Sequence, residues 1–292
     1  MTGPDDVVAE DGPADDDRAD DDGPGPVAPD DPATRQLRLI VEYDGTALGG
    51  WQRQANAPTV QGHLEAALAT LLRHPVTVSG ASRTDAGVHA VGQVATVRTT
   101  RTIPAHGVRR GVNGLLPRSI AVTDVAEVPA AFHPRFSATG KHYRYQILAR
   151  PDRSPRWDGW AWHRPQPLDE AAMAAAAAAF RGEHDFRGFR SVRCVSRTTI
   201  RRIDAIELSR PAPELLALEV RGNAFLHNMV RIIAGTLVEV GLGRIDPAAM
   251  PAIIASGDRT RAGQTAPPHG LTLIAVRYDG TRVTPPRAAP TV

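Results

Sequence analysis

The chain has one cysteine, Cys194, and one lysine, Lys141, in 292 residues. A lone thiol closes no internal disulfide and cannot build a cysteine-rich zinc site. That fits a reducing compartment. Nowhere is there a run near the ~18 apolar residues that a membrane helix needs. The N-terminus lacks both the basic stretch and the apolar stretch of a secretory signal. These absences lead us to expect a soluble, cytoplasmic protein. Aromatic residues make up 5% and hydrophobic residues 42% of the chain. The hydrophobic share is slightly low for a globular protein, and part of the deficit is local.

Charge is also unevenly spread. The formal net charge is +2, but residues 1–34 hold twelve acids against one base, Arg18, a net of −11. The remainder holds 33 bases against 20 acids, a net of +13. GC-rich coding accounts for arginine over lysine, but not for bases over acids. A basic body of this kind suits a polyanion such as RNA. Asp, Pro, Gly and Ala dominate residues 1–35, which have no aromatic residue. They bury too little apolar surface to offset chain entropy, so a disordered acidic tail is expected there.

From Gln36 onward the pattern becomes that of a folded chain. Leu37–Tyr43 reads as a strand that stops at the turn pair Asp44-Gly45. Thr59–Leu72 reads as a helix capped by Thr59, with Val60, Leu64, Ala67, Leu68 and Leu71 as its apolar stripe. Strands follow at 75–80, 92–97, 120–122 and 142–148, with a short helix at 104–111. Residues 151–167 carry Pro151, Pro155, Pro165 and Pro167 with Trp157, Trp160 and Trp162, and read as a loop or junction. Leu168–Phe180 is an alanine-rich helix with Asp169 and Glu170 in its first turn. Strands are expected at 199–208, 215–220 and 271–278, and a long apolar helix at 224–240 closed by Gly241. The order is unlike strict βαβ alternation, so the expected class is α+β with a largely antiparallel sheet. The expected division is a tail 1–35, an N-terminal half 36–150, a C-terminal half 151–282 and a flexible tail 283–292.

Three segments carry chemistry. Gly80–Ala90 places Asp85 in a loop between two strand-like runs, with Arg83 and His89 on either side. Positive neighbours keep a carboxylate ionised, which suits a nucleophile or base better than an acid. A turn aspartate bonded to its own backbone is the plain alternative. The loop has no second carboxylate to help hold a divalent cation, which weighs against a metal-dependent nuclease. In the apolar run 224–235, Arg231 cannot shed its proton. If buried, it requires an anion, either a protein carboxylate or an RNA phosphate; otherwise it snorkels to the surface. Gly235 would admit another backbone. In 136–145, basic residues interleave with Tyr143 and Tyr145, which share a sheet face. Such tyrosines either stack on bases or belong to the core.

Together these segments resemble the TruA family of tRNA pseudouridine synthases, from about Leu37 to Tyr278. Six motifs appear in the family's order: Tyr43-Asp44-Gly45 with Gly50-Trp51-Gln52; the highly specific Arg83-Thr84-Asp85-Ala86-Gly87-Val88-His89; Tyr143-Arg144-Tyr145; Gly182–Phe186; Phe225–Arg231; and Ala262–Pro267. Ala47-Leu48-Gly49 departs from the pattern, since the family commonly has an aromatic residue there. The resemblance implies an α+β fold of two ferredoxin-like halves whose sheets join into one continuous sheet. It implies that Asp85 is the catalytic aspartate, that Arg231 pairs with it and that Tyr143 stacks on the target uracil. Arg83, Thr84, His89 and Arg144 are the expected substrate contacts. The implied reaction converts uridine to pseudouridine at positions 38, 39 and 40 of the tRNA anticodon stem-loop, in a homodimer, with neither metal nor organic cofactor. An RNA-binding protein without catalysis, or the same enzyme class acting on another RNA, are the competing readings.

Overall fold

A computed structural model describes residues 33–194 and 196–279. Of the expected tail 1–35, residues 1–32 lie outside the described residues, as does the whole expected tail 283–292, and Arg35 already belongs to the first strand. In chain order the elements are β1 (Arg35–Tyr43), α1 (Val60–Leu72), β2 (Val78–Gly80), β3 (His89–Thr99), α2 (Ala105–Asn113), β4 (Ile120–Val128), β5 (Ala138–Ala149), β6 (Trp162–Arg164), α3 (Glu170–Ala178), β7 (Gly182–Asp185), β8 (Ile200–Ala212), β9 (Leu215–Gly222), α4 (Met229–Gly241), α5 (Met250–Ser256) and β10 (Leu271–Tyr278).

Local chemistry explains where the helices begin. Thr59 is extended and its hydroxyl accepts from the Gly62 N–H, so α1 starts one residue after it. Asp169 caps α3 in the same way through Ala172; it stands before the first turn, where it had been expected within it. The run 224–240 is not one helix. Asn228 adopts the left-handed conformation at φ 63°, and α4 begins only at Met229. Asparagine tolerates that region better than most residues, and hydropathy alone does not register the break. The 151–167 segment contains a short strand, β6, paired parallel to the end of β5. Sequence reading did not anticipate β7 or α5.

The strands form one ten-stranded sheet in the order β4-β1-β3-β10-β5-β9-β8-β7, with β2 added on β3 and β6 on β5. Two stretches of chain repeat one topology. In β1-α1-β2-β3-α2-β4 the fourth, first, third and second strands lie side by side, and β10-β5-β9-β8 repeats that order. This is the ferredoxin-like arrangement, present twice. The two sets join where β10 runs parallel to β3, with Thr272 opposite His89 and Leu273 opposite Ala90. The other main-path pairings are antiparallel. By strand order the second set opens with β5, upstream of the divide expected at 150.

β10 thus carries the end of the chain back to the centre of the sheet, between β3 and β5. One apolar core runs across the join, from Leu37, Leu39 and Leu64 in the first set to Tyr145, Ile147, Phe180 and Leu218 in the second. The seam brings together the loop before β3, the tyrosines of β5 and the start of α4, which all belong to the site.

Candidate active site

Asp85 lies in the loop between β2 and β3, and several contacts hold that loop. The Gln93 side chain clamps the Ser82 backbone, donating from Nε2 to Ser82 O at 2.5 Å and accepting from Ser82 N at Oε1 (3.2 Å). The Thr84 hydroxyl bonds Tyr43 Oη at 2.8 Å, and Trp51 N–H donates to Thr84 O at 3.0 Å. Gly50 has φ +92°, and a Cβ there would stand 2.6 Å from Thr84 O. Only glycine fits both the conformation and the space. The Gly50-Trp51 motif is therefore a floor for the loop.

The Asp85 carboxylate is 19% exposed and each oxygen has a basic side chain beside it. Oδ2 accepts from Arg231 Nη1 at 2.9 Å, and Oδ1 lies 3.1 Å from His227 Nε2. Burial, the largest single influence, would raise its pKa. Hydrogen bonding and charge from His227 and Arg231 together outweigh it and hold Asp85 below the ordinary aspartate value. Both partners come from the N-terminal end of α4, where the helix dipole also favours a negative charge.

Arg231 is buried, so it does not snorkel. Nε donates to Ala266 O at 2.8 Å, and Nη1 is shared between Asp85 and Asn228 Oδ1, also 2.9 Å away. Asn228 makes no side-chain cap for α4; its carbonyl oxygen orients the guanidinium instead. Behind Arg231, Gly235 lets the chain at Gln264 approach. A Cβ on Gly235 would fall 1.9 Å from Gln264 O. The Ala262–Pro267 motif thus passes against α4 and supplies the carbonyl that fixes Arg231.

Tyr143 is buried on β5. Its hydroxyl bonds Ser82 Oγ at 2.7 Å, and its ring meets the edge of Phe225 at a centroid distance of 5.3 Å. Burial pushes the hydroxyl up to about 12, opposed by the Ser82 bond and aided by the charge of Asp85. The phenol is therefore neutral at physiological pH. Lys141 Nζ donates to the same Ser82 Oγ at 3.2 Å.

The structure brings Asp85, Arg231 and Tyr143 together, with half-buried Arg83 two residues from Asp85 in the same loop. Three other expected substrate contacts have partners within the protein. The Thr84 hydroxyl is buried and spent on Tyr43. His89 is fully buried: Nδ1 accepts from Gly45 N–H at 3.0 Å, Nε2 lies 2.8 Å from Gly159 O, and the ring stacks on Trp160 at 4.1 Å. Neither ring nitrogen remains for a substrate, and burial, its largest influence, lowers its pKa. Thr84 and His89 hold the loop. Arg144 alternates with Tyr143 on β5, faces the other side of the sheet and pairs with Glu219 at 2.5 Å. Sequence reading overlooked His227, Asn228, Ser82 and Gln93. His227 sits four residues before Arg231, a spacing that could have flagged it. Of the six motifs, only Gly182–Phe186 stays away from this cluster, in β7 at the sheet edge and its adjoining core residue.

Among the described residues, no group of three or more His, Cys, Asp or Glu is placed to hold a metal ion. Nor is any helix among them long and apolar enough to cross a membrane.

Comparison with known proteins identifies the family. The family model described as tRNA pseudouridine synthase matches residues 39–137 and 176–279. The tRNA pseudouridine synthase A of Geotalea uraniireducens (strain Rf4) is 48% identical over 244 residues, 84% of this chain and 100% of that protein. The corresponding protein of Geobacter sp. (strain M21) is 49% identical over 245 residues, 84% of this chain and 99% of the relative. Among solved structures, the archaeal box H/ACA sRNP Nop10-Cbf5 complex matches at TM-score 0.35 and 10% identity, over 81% of this chain and 47% of that one. The chain belongs to the tRNA pseudouridine synthase family, whose members are isomerases.

Proposed function

We propose that this chain isomerises uridine to pseudouridine at positions 38, 39 and 40 of the tRNA anticodon stem-loop, with Asp85 as the catalytic group. It acts as a homodimer in the cytoplasm. The observation that carries this reading is an Asp85 carboxylate with Arg231 at one oxygen and His227 at the other.

The reaction breaks C1′–N1 and forms C1′–C5. The C5 hydrogen leaves as a proton and N1 gains one, so the product is an isomer and no co-reactant is consumed. An ionised carboxylate serves either of two routes. It attacks C1′ and holds the sugar covalently, or it takes the C2′ proton and a glycal forms. In both, uracil must detach, turn and rejoin within the site. Tyr143 offers a flat neutral ring to pack on uracil while it turns, and Arg83 helps hold the displaced nucleotide. Because its partners are in place before substrate arrives, Asp85 needs no reorganisation.

The test is tritium release from tRNA labelled at C5 of uridine, wild type beside Asp85→Asn. Release by wild type alone, lost when uridines 38–40 are replaced by cytidine, supports the reaction, the residue and the positions. Tight tRNA binding with no release from either protein would return the reading to an RNA-binding protein. Sedimentation of the free protein tests the dimer.

A further inference from the structure

Phe136 is 74% exposed, the most exposed aromatic side chain among the described residues. Single exposed apolar residues are ordinary; the setting of this one is not. The N–H groups of Arg135 and Phe136 both bond His133 Nδ1, at 3.1 and 3.2 Å. Ser137 closes the turn by bonding His133 through backbone and side chain. The turn therefore presents the Phe136 ring in a fixed orientation, with the His133 ring at 4.3 Å and the Arg135 guanidinium 5.8 Å from its centroid.

Beside it is a group of cations without acids. Arg38, Arg144, Arg202, Arg210, Arg221 and Arg277 each pair with a carboxylate. Among the described residues, Arg135, Lys141 and Arg201 pair with none. Burial is the largest influence on Lys141 and brings it down to about 8, with the charges of Arg135 and Arg201 adding to the effect. The strands align two of these cations. Lys141 and Ile203 both lie opposite Gly222, and Arg201 is two residues before Ile203, on the same face of β8. Lys141 then reaches the reaction site through Ser82 Oγ, which also bonds Tyr143.

We propose that Phe136, Arg135, Lys141 and Arg201 form a second nucleotide subsite beside the Tyr143 site. It takes an unpaired RNA nucleotide next to the one being modified, stacking its base on Phe136 and holding its phosphate among the three cations. An aromatic ring stacks on any base, and cations that lack acids gain an anion when phosphate binds. The subsite fixes the strand on one side of the target nucleotide while that nucleotide is displaced. This inference rests on the reading of the site as one that modifies RNA.

The experiment measures the affinity of the full chain for unmodified tRNA across a range of salt concentrations. Phe136→Ala should weaken binding about tenfold at every salt concentration and leave the salt slope unchanged, because stacking releases no counterions. Phe136→Trp should restore affinity. Arg135→Gln should weaken binding and reduce the slope by about one phosphate contact. If wild type binds tRNA and Phe136→Ala binds equally well, the second subsite is wrong and the catalytic reading stands. If wild type does not bind tRNA at all, the reading of the whole site falls with it.

Discussion

Arg231 Nη1 stands 2.9 Å from Asp85 Oδ2, across 146 residues of chain. One residue lies in the first ferredoxin-like set and the other in the second, so the ion pair exists only because the sheets join. A buried guanidinium and a mostly buried carboxylate would each be costly alone, and each offsets the other. The pair links folding of the two sets to the readiness of the site.

Arg231→Met should act on both. Removing one partner of a buried pair costs about 3 kcal/mol, measurable by urea unfolding. Burial then acts on Asp85 with only His227 opposing it, so its pKa should climb. The acid limb of the pH–rate profile should move toward neutral pH, and an unmoved limb would count against Arg231 as the group that keeps Asp85 ionised.

In the wild type the sign runs the other way. A carboxylate with a lowered folded pKa contributes stability above its unfolded value, and that contribution is lost as pH falls through the folded value. Part of the acid destabilisation should therefore belong to Asp85. Asp85→Asn should flatten stability against pH below the ordinary aspartate value of 3.8, and an unchanged acid branch in denaturant titrations would contradict this.

Tyr143→Phe removes only the hydroxyl that bonds Ser82. Lys141 still donates to Ser82 Oγ, so the loop keeps part of its anchorage. The expected cost is about 1 kcal/mol of stability, with the ring surface intact. Turnover should fall less than about tenfold. Tyr143→Ala removes the ring and should cost about a hundredfold or more in kcat, by the several kcal/mol that an aromatic truncation forfeits. Equal losses in the two variants would mean that the hydroxyl, not the face, matters.

Gln93→Leu tests the clamp on the loop. It leaves the buried N–H and C=O of Ser82 without the side chain that pairs with both. A stability loss of about 2–3 kcal/mol is expected. Because Gln93 is fully buried, kcat should fall more than KM rises. A change in KM alone would show that the clamp does not orient Asp85.

Gly235→Ala should also reach the site from a distance. Its Cβ would fall 1.9 Å from Gln264 O, far inside van der Waals contact, so the chain from 262 to 267 must move. Overpacking of this kind costs about 1–3 kcal/mol, and Ala266 O shifts with respect to Arg231 Nε. The stability loss and a fall in kcat should appear together.

The sequence by itself determined most of the local elements and the identities of the chemical groups. Thr59 shows as a cap because a short polar side chain can bond the orphan N–H groups of the next turn. Asp85 showed as an ionised loop carboxylate and Arg231 as a cation in need of an anion, because charge and hydropathy are properties of the residues themselves. Gly235 showed as a point of close approach because glycine lacks a side chain.

Only the tertiary structure decided which groups meet. His227 and Arg231 reach the same carboxylate because Asn228 breaks the apolar run and α4 starts at Met229. Hydropathy cannot reveal that break, since a left-handed residue leaves the apolar pattern intact. His89 and Thr84 belong to the most specific motif, yet both are spent on holding the loop. Their side chains turn inward because their partners, Tyr43, Gly45 and Gly159, are brought to them by other segments. Arg144 sits beside Tyr143 in sequence but across the sheet in space, since successive residues of a strand alternate faces. Sequence records which groups are available, and the join of the two sheets sets their distances and orientations.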